Sequence, residues 1–238
     1  MASHSRPAAE RIVSALRAIF GQRLKSVVAY GPHLENGGAG STEPFSCLAL
    51  VASLTVADLE ASAAHAHDWS RHNIATPLLL PEDEFRRSFD AFPLEYAEIL
   101  RAHELLFGGN PFEHLSIEHA DLRRACETQI KSHLVHLREA FIEAGGTPRA
   151  VAELVTASAP AFGGLLRHIA RLNGSGDHDR ANTTLEGARA AGVPETLVAS
   201  ILALERPSTL KPVDAARLFP EYLGAVEQLA RYVDGWRG

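Results

Sequence analysis

The stretch from Ser26 to Val51 restricts the fold more than any other, because only two strands joined by an irregular loop fit it. Val27, Val28 and Tyr30 are β-branched or aromatic, residues that suit a pleated and half-buried surface, and Gly31-Pro32 ends their run. Between Leu34 and Pro44 stand Gly37, Gly38 and Gly40, which leave that segment too broken for a helix or a strand. Leu48-Ala-Leu-Val51 is then a short apolar run with the length of a buried strand.

The flanking sequence supplies layers for these strands. Ile12, Val13, Leu16, Ile19 and Phe20 form a helical stripe that Gly21 ends. Thr55 suits a helix N-cap, with Asp58 at the third position after it, and that helix is expected to run to about Arg71. Ile74 to Leu80 reads as a third strand, and Pro81-Glu-Asp-Glu84 opens a short helix with acids in its first turn. Pro93 to Leu100 does not alternate cleanly; after such a mixture of helices and strands it is expected as the strand that completes a mixed sheet. Leu105-Leu-Phe-Gly-Gly-Asn-Pro111 breaks the pattern, which places a domain boundary near Asn110, with domains 1–109 and 110–238.

Beyond the boundary every segment is helical in pattern. Leu122, Cys126, Ile130, Leu134, Leu137 and Phe141 make one continuous stripe, closed by Gly145-Gly146. Thr147-Pro148 starts a second helix through Leu172, and segments 183–191, 194–204 and 212–233 complete an array of five. The expected class is therefore α+β: an N-terminal mixed sheet with flanking helices, followed by an all-α bundle.

Composition excludes several functions. A net charge of −6 argues against a mainly electrostatic grip on nucleic acid, and no apolar run approaches the roughly 20 residues that span a bilayer. Cys47 and Cys126 have neither disulfide-scaffold nor zinc spacing, so they are expected as reduced thiols in a cytoplasmic protein.

The frame of strand, Gly turn, loop and apolar strand resembles the core of the nucleotidyltransferase superfamily, of the kanamycin-nucleotidyltransferase and DNA-polymerase-β type. The resemblance extends to the pairing of a small α+β domain with a C-terminal helical bundle. In that family the first strand ends in Gly-Ser, and the second opens with Asp-x-Asp before its apolar residues. Here Gly31-Pro32 stands at the first motif, and Phe45 and Cys47 stand at the second. The resemblance implies divalent metals held by two aspartates and a third carboxylate on a neighbouring strand. Phe has no donor atom, and a thiol is a poor ligand for Mg²⁺.

Three functional classes follow. The first is a non-catalytic protein that keeps a ligand cleft or a partner-binding role, with Tyr30, Gly31, Pro32, Gly37, Gly38 and Cys47 as the ligand-binding residues and no cofactor required. The second is an active transferase with a rearranged site of Glu43, Glu95 and Glu98, which needs Mg²⁺ and a nucleoside triphosphate. The third is an antitoxin-like interaction module. The partner is thus a nucleotide or a protein, and a homodimer is compatible with the sequence; membrane and nucleic acid are not favoured.

Histidines allow other drawings. His65, Asp68 and His72 share a helix face, as do His133, His136 and Glu139, but a solvated face and a hydrogen-bonded buried histidine are the simpler expectations. Arg171 and His178 have the spacing of a HEPN-ribonuclease pair, across a glycine-containing loop.

Overall fold

The computed structural model describes residues 5–31, 34, 43–175, 180–205 and 212–237. The chain divides into two compact units, Met1–Ile117 and Glu118–Gly238.

The first unit begins with α1 (Ser5–Phe20) and a short 3-10 turn, Gly21–Arg23, and continues into β1 (Leu24–Tyr30) and β2 (Ser46–Val51). Then come α2 (Val56–Ala63), α3 (Ala66–Arg71), β3 (Leu78–Pro81), α4 (Glu82–Arg87), α5 (Pro93–Arg101) and β4 (His103–Gly108). The sheet order is β3-β2-β1-β4; β1 runs antiparallel to both neighbours, and β2 pairs with β3 in parallel. The sheet is mixed, as expected.

Alternation along the central strands explains their almost unbroken apolar sequence. Val27, Ala29, Cys47, Ala49 and Val51 pack with Ile12, Leu16 and Phe20 of α1. Val28, Leu48 and Leu50 point the other way, into a core with Phe85, Tyr96, Ile99 and Phe112. From Val27 to Ala29 and from Cys47 to Val51 both faces are buried, and every residue is apolar.

Thr55 caps α2 with a complete capping box: its side chain accepts from the Asp58 amide, and the Asp58 carboxylate accepts from the Thr55 amide. Asp58 is also gripped by Arg23, at 2.8 and 2.7 Å, and these bonds hold its carboxyl far below the usual carboxylate range. The helix expected to reach Arg71 is interrupted after Ala63, giving α2 and α3.

Two expectations are corrected. Pro93 to Leu100 forms a helix, not a strand: Pro93 sits at its start, where a missing N–H costs nothing, and Leu94, Tyr96 and Ile99 face inward. The fourth strand is the next segment, β4, which overlaps the stretch expected to break the pattern. Of the expected strand from Ile74 to Leu80, only Leu78–Leu80 pair in β3; Ile74 makes an isolated bridge with Phe45, and Pro77, between the two, has no amide to donate. Residues 110–117 belong with the first unit, where Phe112 is buried and Leu115 and Ile117 pack against its core.

The second unit is built from α6 (His119–Glu143), α7 (Pro148–Leu172), α8 (Arg180–Ala191), α9 (Glu195–Leu202) and α10 (Pro212–Gly235). Helix α7 is its axis. Val155, Ala159, Phe162, Leu166 and Ile169 of α7 are fully buried, as are Ile130 of α6 and Tyr222, Val226 and Leu229 of α10.

Candidate functional site

The turn after β1 is built around Gly31, whose φ of +96° only glycine adopts without strain. The amide of Leu34 donates to the Gly31 carbonyl at 3.0 Å, closing a tight turn at the end of the sheet. Across it, Tyr30 pairs with Ser46 and Ala29 with Cys47. Pro32, Gly37 and Gly38 lie outside the described residues.

Strand parity separates the remaining ligand candidates. Cys47 is 1 % exposed and Phe45 is 4 % exposed, both within the core under α1. Burial pushes the Cys47 thiol up to about 12, which keeps it protonated near neutral pH. The opposite face of β2 carries Ser46 and the fully buried Leu48. Neither parity of β2 presents a carboxylate. Tyr30 packs against the second core, where burial, with Cys47 nearby, raises its phenol.

That second face is aromatic where metal chemistry needs oxygen ligands. Phe89 stacks on Tyr96 with ring centres 4.4 Å apart, and Phe85 meets both rings edge-on. The Tyr96 hydroxyl lies 2.6 Å from Ser88 Oγ. These groups pack against one another as part of the second core.

Of the three glutamates, Glu43 is exposed, and its carbonyl accepts from Asn73 Nδ2 at 3.2 Å. Glu95 is exposed and Glu98 half-buried on α5. Among the described residues no three His, Cys, Asp or Glu side chains come together as a metal would require, so these glutamates form no such group. A carboxylate that the sequence reading missed is Glu104, which β4 sets opposite Ala29. It lines a cavity of about 650 Å³ between α1 and β4, together with Arg6, Glu10 and Arg17.

No family model matches the sequence, and no curated protein matches it. A search of solved structures finds the spectinomycin adenyltransferase AAD(9) of Enterococcus faecialis, whose crystal structure holds ATP and spectinomycin. The match covers 94 % of this chain and 98 % of that one, with a TM-score of 0.61 and 11 % identity. The fold is nucleotidyltransferase-like.

A nucleotidyltransferase of this kind is expected to hold divalent metal on paired strand carboxylates. The residues present do not fit such a metal, because β2 offers only Phe, Ser, Cys and aliphatic side chains at the required positions.

The histidines are otherwise engaged. Asp68 pairs with Arg11 at 3.2 Å and lies 3.3 Å from His72 Nδ1, while the His65 ring stacks on Trp69. His133 Nε2 lies 2.9 Å from the buried hydroxyl of Tyr222, and His136 pairs with Glu139 on the surface. His178 lies outside the described residues.

Burial, with His136 nearby, lowers the pKa of His133 below its ordinary value, so folding favours the neutral ring. The unfolded chain therefore binds the proton first, and this contribution to stability is present in full above about pH 6.5 and declines as pH falls through that value. Chemical denaturation on either side of this pH checks it: wild type is expected to lose more stability on acidification than His133→Gln. Equal losses would remove His133 from the linkage.

No helix among the described residues is long and apolar enough to cross a membrane.

Proposed function

We propose that this nucleotidyltransferase-like protein does not catalyse metal-dependent nucleotidyl transfer and instead binds a ligand or a protein partner. One observation carries the reading: from Phe45 to Val51, where the fold calls for metal-binding carboxylates, there is none on either face of the strand. Rescue from Glu43, Glu95 and Glu98 has no support from a shared cluster. Because ligand binding to the native state raises the melting temperature by mass action, the test is thermal unfolding with ATP, GTP, CTP, UTP or spectinomycin, with and without Mg²⁺. The expected result is no Mg²⁺-dependent rise. A metal-independent rise with a nucleotide supports a retained nucleotide cleft, and flat curves leave the protein-partner role ahead. A rise that needs Mg²⁺, with ATP turnover abolished by Glu95→Gln or Glu98→Gln, would overturn the proposal.

A further inference from the structure

A second cavity lies at the other end of the sheet from the Gly31 turn, where β1 begins and β4 ends. Its volume is about 540 Å³, within the roughly 300–1,000 Å³ typical of small-molecule sites. The half-buried Pro111 and Leu115 supply its apolar surface, over the buried Leu50 and Phe85. Four charged side chains line it as well: the cations Lys25 and Arg86, and the carboxylates Glu82 and Glu113.

The wall from Gly108 to His114 is fixed before any ligand arrives. Gly108 has φ +80°, and a Cβ there would stand 1.9 Å from the Lys25 carbonyl oxygen, so only glycine lets β4 close against β1. Ser26 Oγ donates to the Gly109 carbonyl at 2.8 Å, and the Phe112 amide donates to Asn110 Oδ1 at 3.0 Å. Phe112 then anchors the loop in the core. His114 is held at φ +63°, a conformation that costs a non-glycine residue energy and persists only where its surroundings impose it.

The charges lining this wall have weak commitments of their own. Arg86 and Glu82 approach to 3.6 Å with both side chains exposed, a geometry that contributes little. Lys25 and Glu113 make no ion pair among the described residues. A ligand of one charge sign would satisfy one pair and be repelled by the other. A ligand carrying both signs beside an apolar group satisfies both pairs and the apolar surface.

We propose that this pocket binds a small zwitterion with an apolar body, the chemistry of a hydrophobic α-amino acid. The site is independent of the reading given for the Gly31 turn. The test titrates the isotope-labelled full chain with L-phenylalanine, phenylacetate and phenethylamine, following the amides of Gly109, Glu113 and His114. L-Phenylalanine is expected to shift them saturably, and each singly charged analogue to bind about tenfold more weakly or worse. Gly109→Leu fills a pocket wall where an added Cβ meets nothing within 4 Å, and it is expected to abolish the shifts while the spectrum stays dispersed. Arg86→Glu, on a side chain 69 % exposed, is expected to weaken binding without disturbing the fold. The proposal fails if L-phenylalanine leaves these amides unmoved, if phenylacetate or phenethylamine binds as tightly, or if the shifts survive both substitutions.

Discussion

Gly187→Ala is expected to cost the helical unit about 3 kcal/mol or more, toward the upper end of overpacking penalties. A Cβ at Gly187 would stand 1.8 Å from the carbonyl oxygen of Leu166, 2.6 Å from its carbon and 3.2 Å from the Ala170 amide nitrogen. All three are backbone atoms of α7, so no side-chain rotation relieves the clash, and α8 would have to move away. That movement would open the seam along which Thr183, Thr184, Ala188 and Ala191 are buried, and where Arg167 reaches Thr184. Alanine's higher helix propensity, worth about 1 kcal/mol over glycine, is too small to compensate. Gly164→Ala is the matched control. Its added methyl meets only Arg167 Nη2, at 3.8 Å, so the propensity gain is expected to appear and stability to rise by up to about 1 kcal/mol. Denaturant unfolding of both variants decides the matter; a Gly187→Ala midpoint close to wild type would mean that the two helices do not meet as described.

The sequence made some of this legible. The stripe of α1, the two central strands, the Thr55–Asp58 box and the long helices of the second half rest on strong periodicity or on cap chemistry, and all are present in the structure. Gly187 gave no such signal, because close approach of two helices is a tertiary fact; the glycines that stand out in sequence are the adjacent pairs.

The exchange of α5 and β4 has a similar cause. Pro93–Leu100 is short, and its inward residues satisfy neither period, while the Gly108-Gly109 pair disguises the strand just before it as a loop. In the fold Gly108 is the point at which β4 crowds β1. Missing β4 also hid Glu104.

The candidate site was half legible. The absence of carboxylates from the second strand is visible in its letters, but which side each letter faces is not, since α1 and the aromatic cluster compete for the same alternating pattern. Phe45 and Cys47 pack on the α1 side, and we propose that they serve the core rather than a ligand site.

That distinction is open to experiment through the double substitution Phe45→Asp with Cys47→Asp, which writes Asp-x-Asp back at the positions the resemblance assigns. It is expected to unfold the first unit, with no metal site formed. Phe45 is 4 % exposed and Cys47 1 %, so both carboxylates would enter the core beside Leu16 and Phe20. Their neighbours in that cluster are apolar side chains, a poor environment for a charge. Loss of the buried ring alone costs about 3–5 kcal/mol, and each unpaired buried charge adds several more. Together these exceed much of the roughly 5–15 kcal/mol that stabilises a whole domain. Mg²⁺ is not expected to rescue the variant, because the ion would have to enter the same dry core. Circular dichroism and a melting curve with and without Mg²⁺ give the answer. A folded variant that gains stability from Mg²⁺ would mean that these two positions face the cleft after all, and the transferase reading would return. Collapse of the first unit in both conditions would place Phe45 and Cys47 where the packing puts them, in the core under α1.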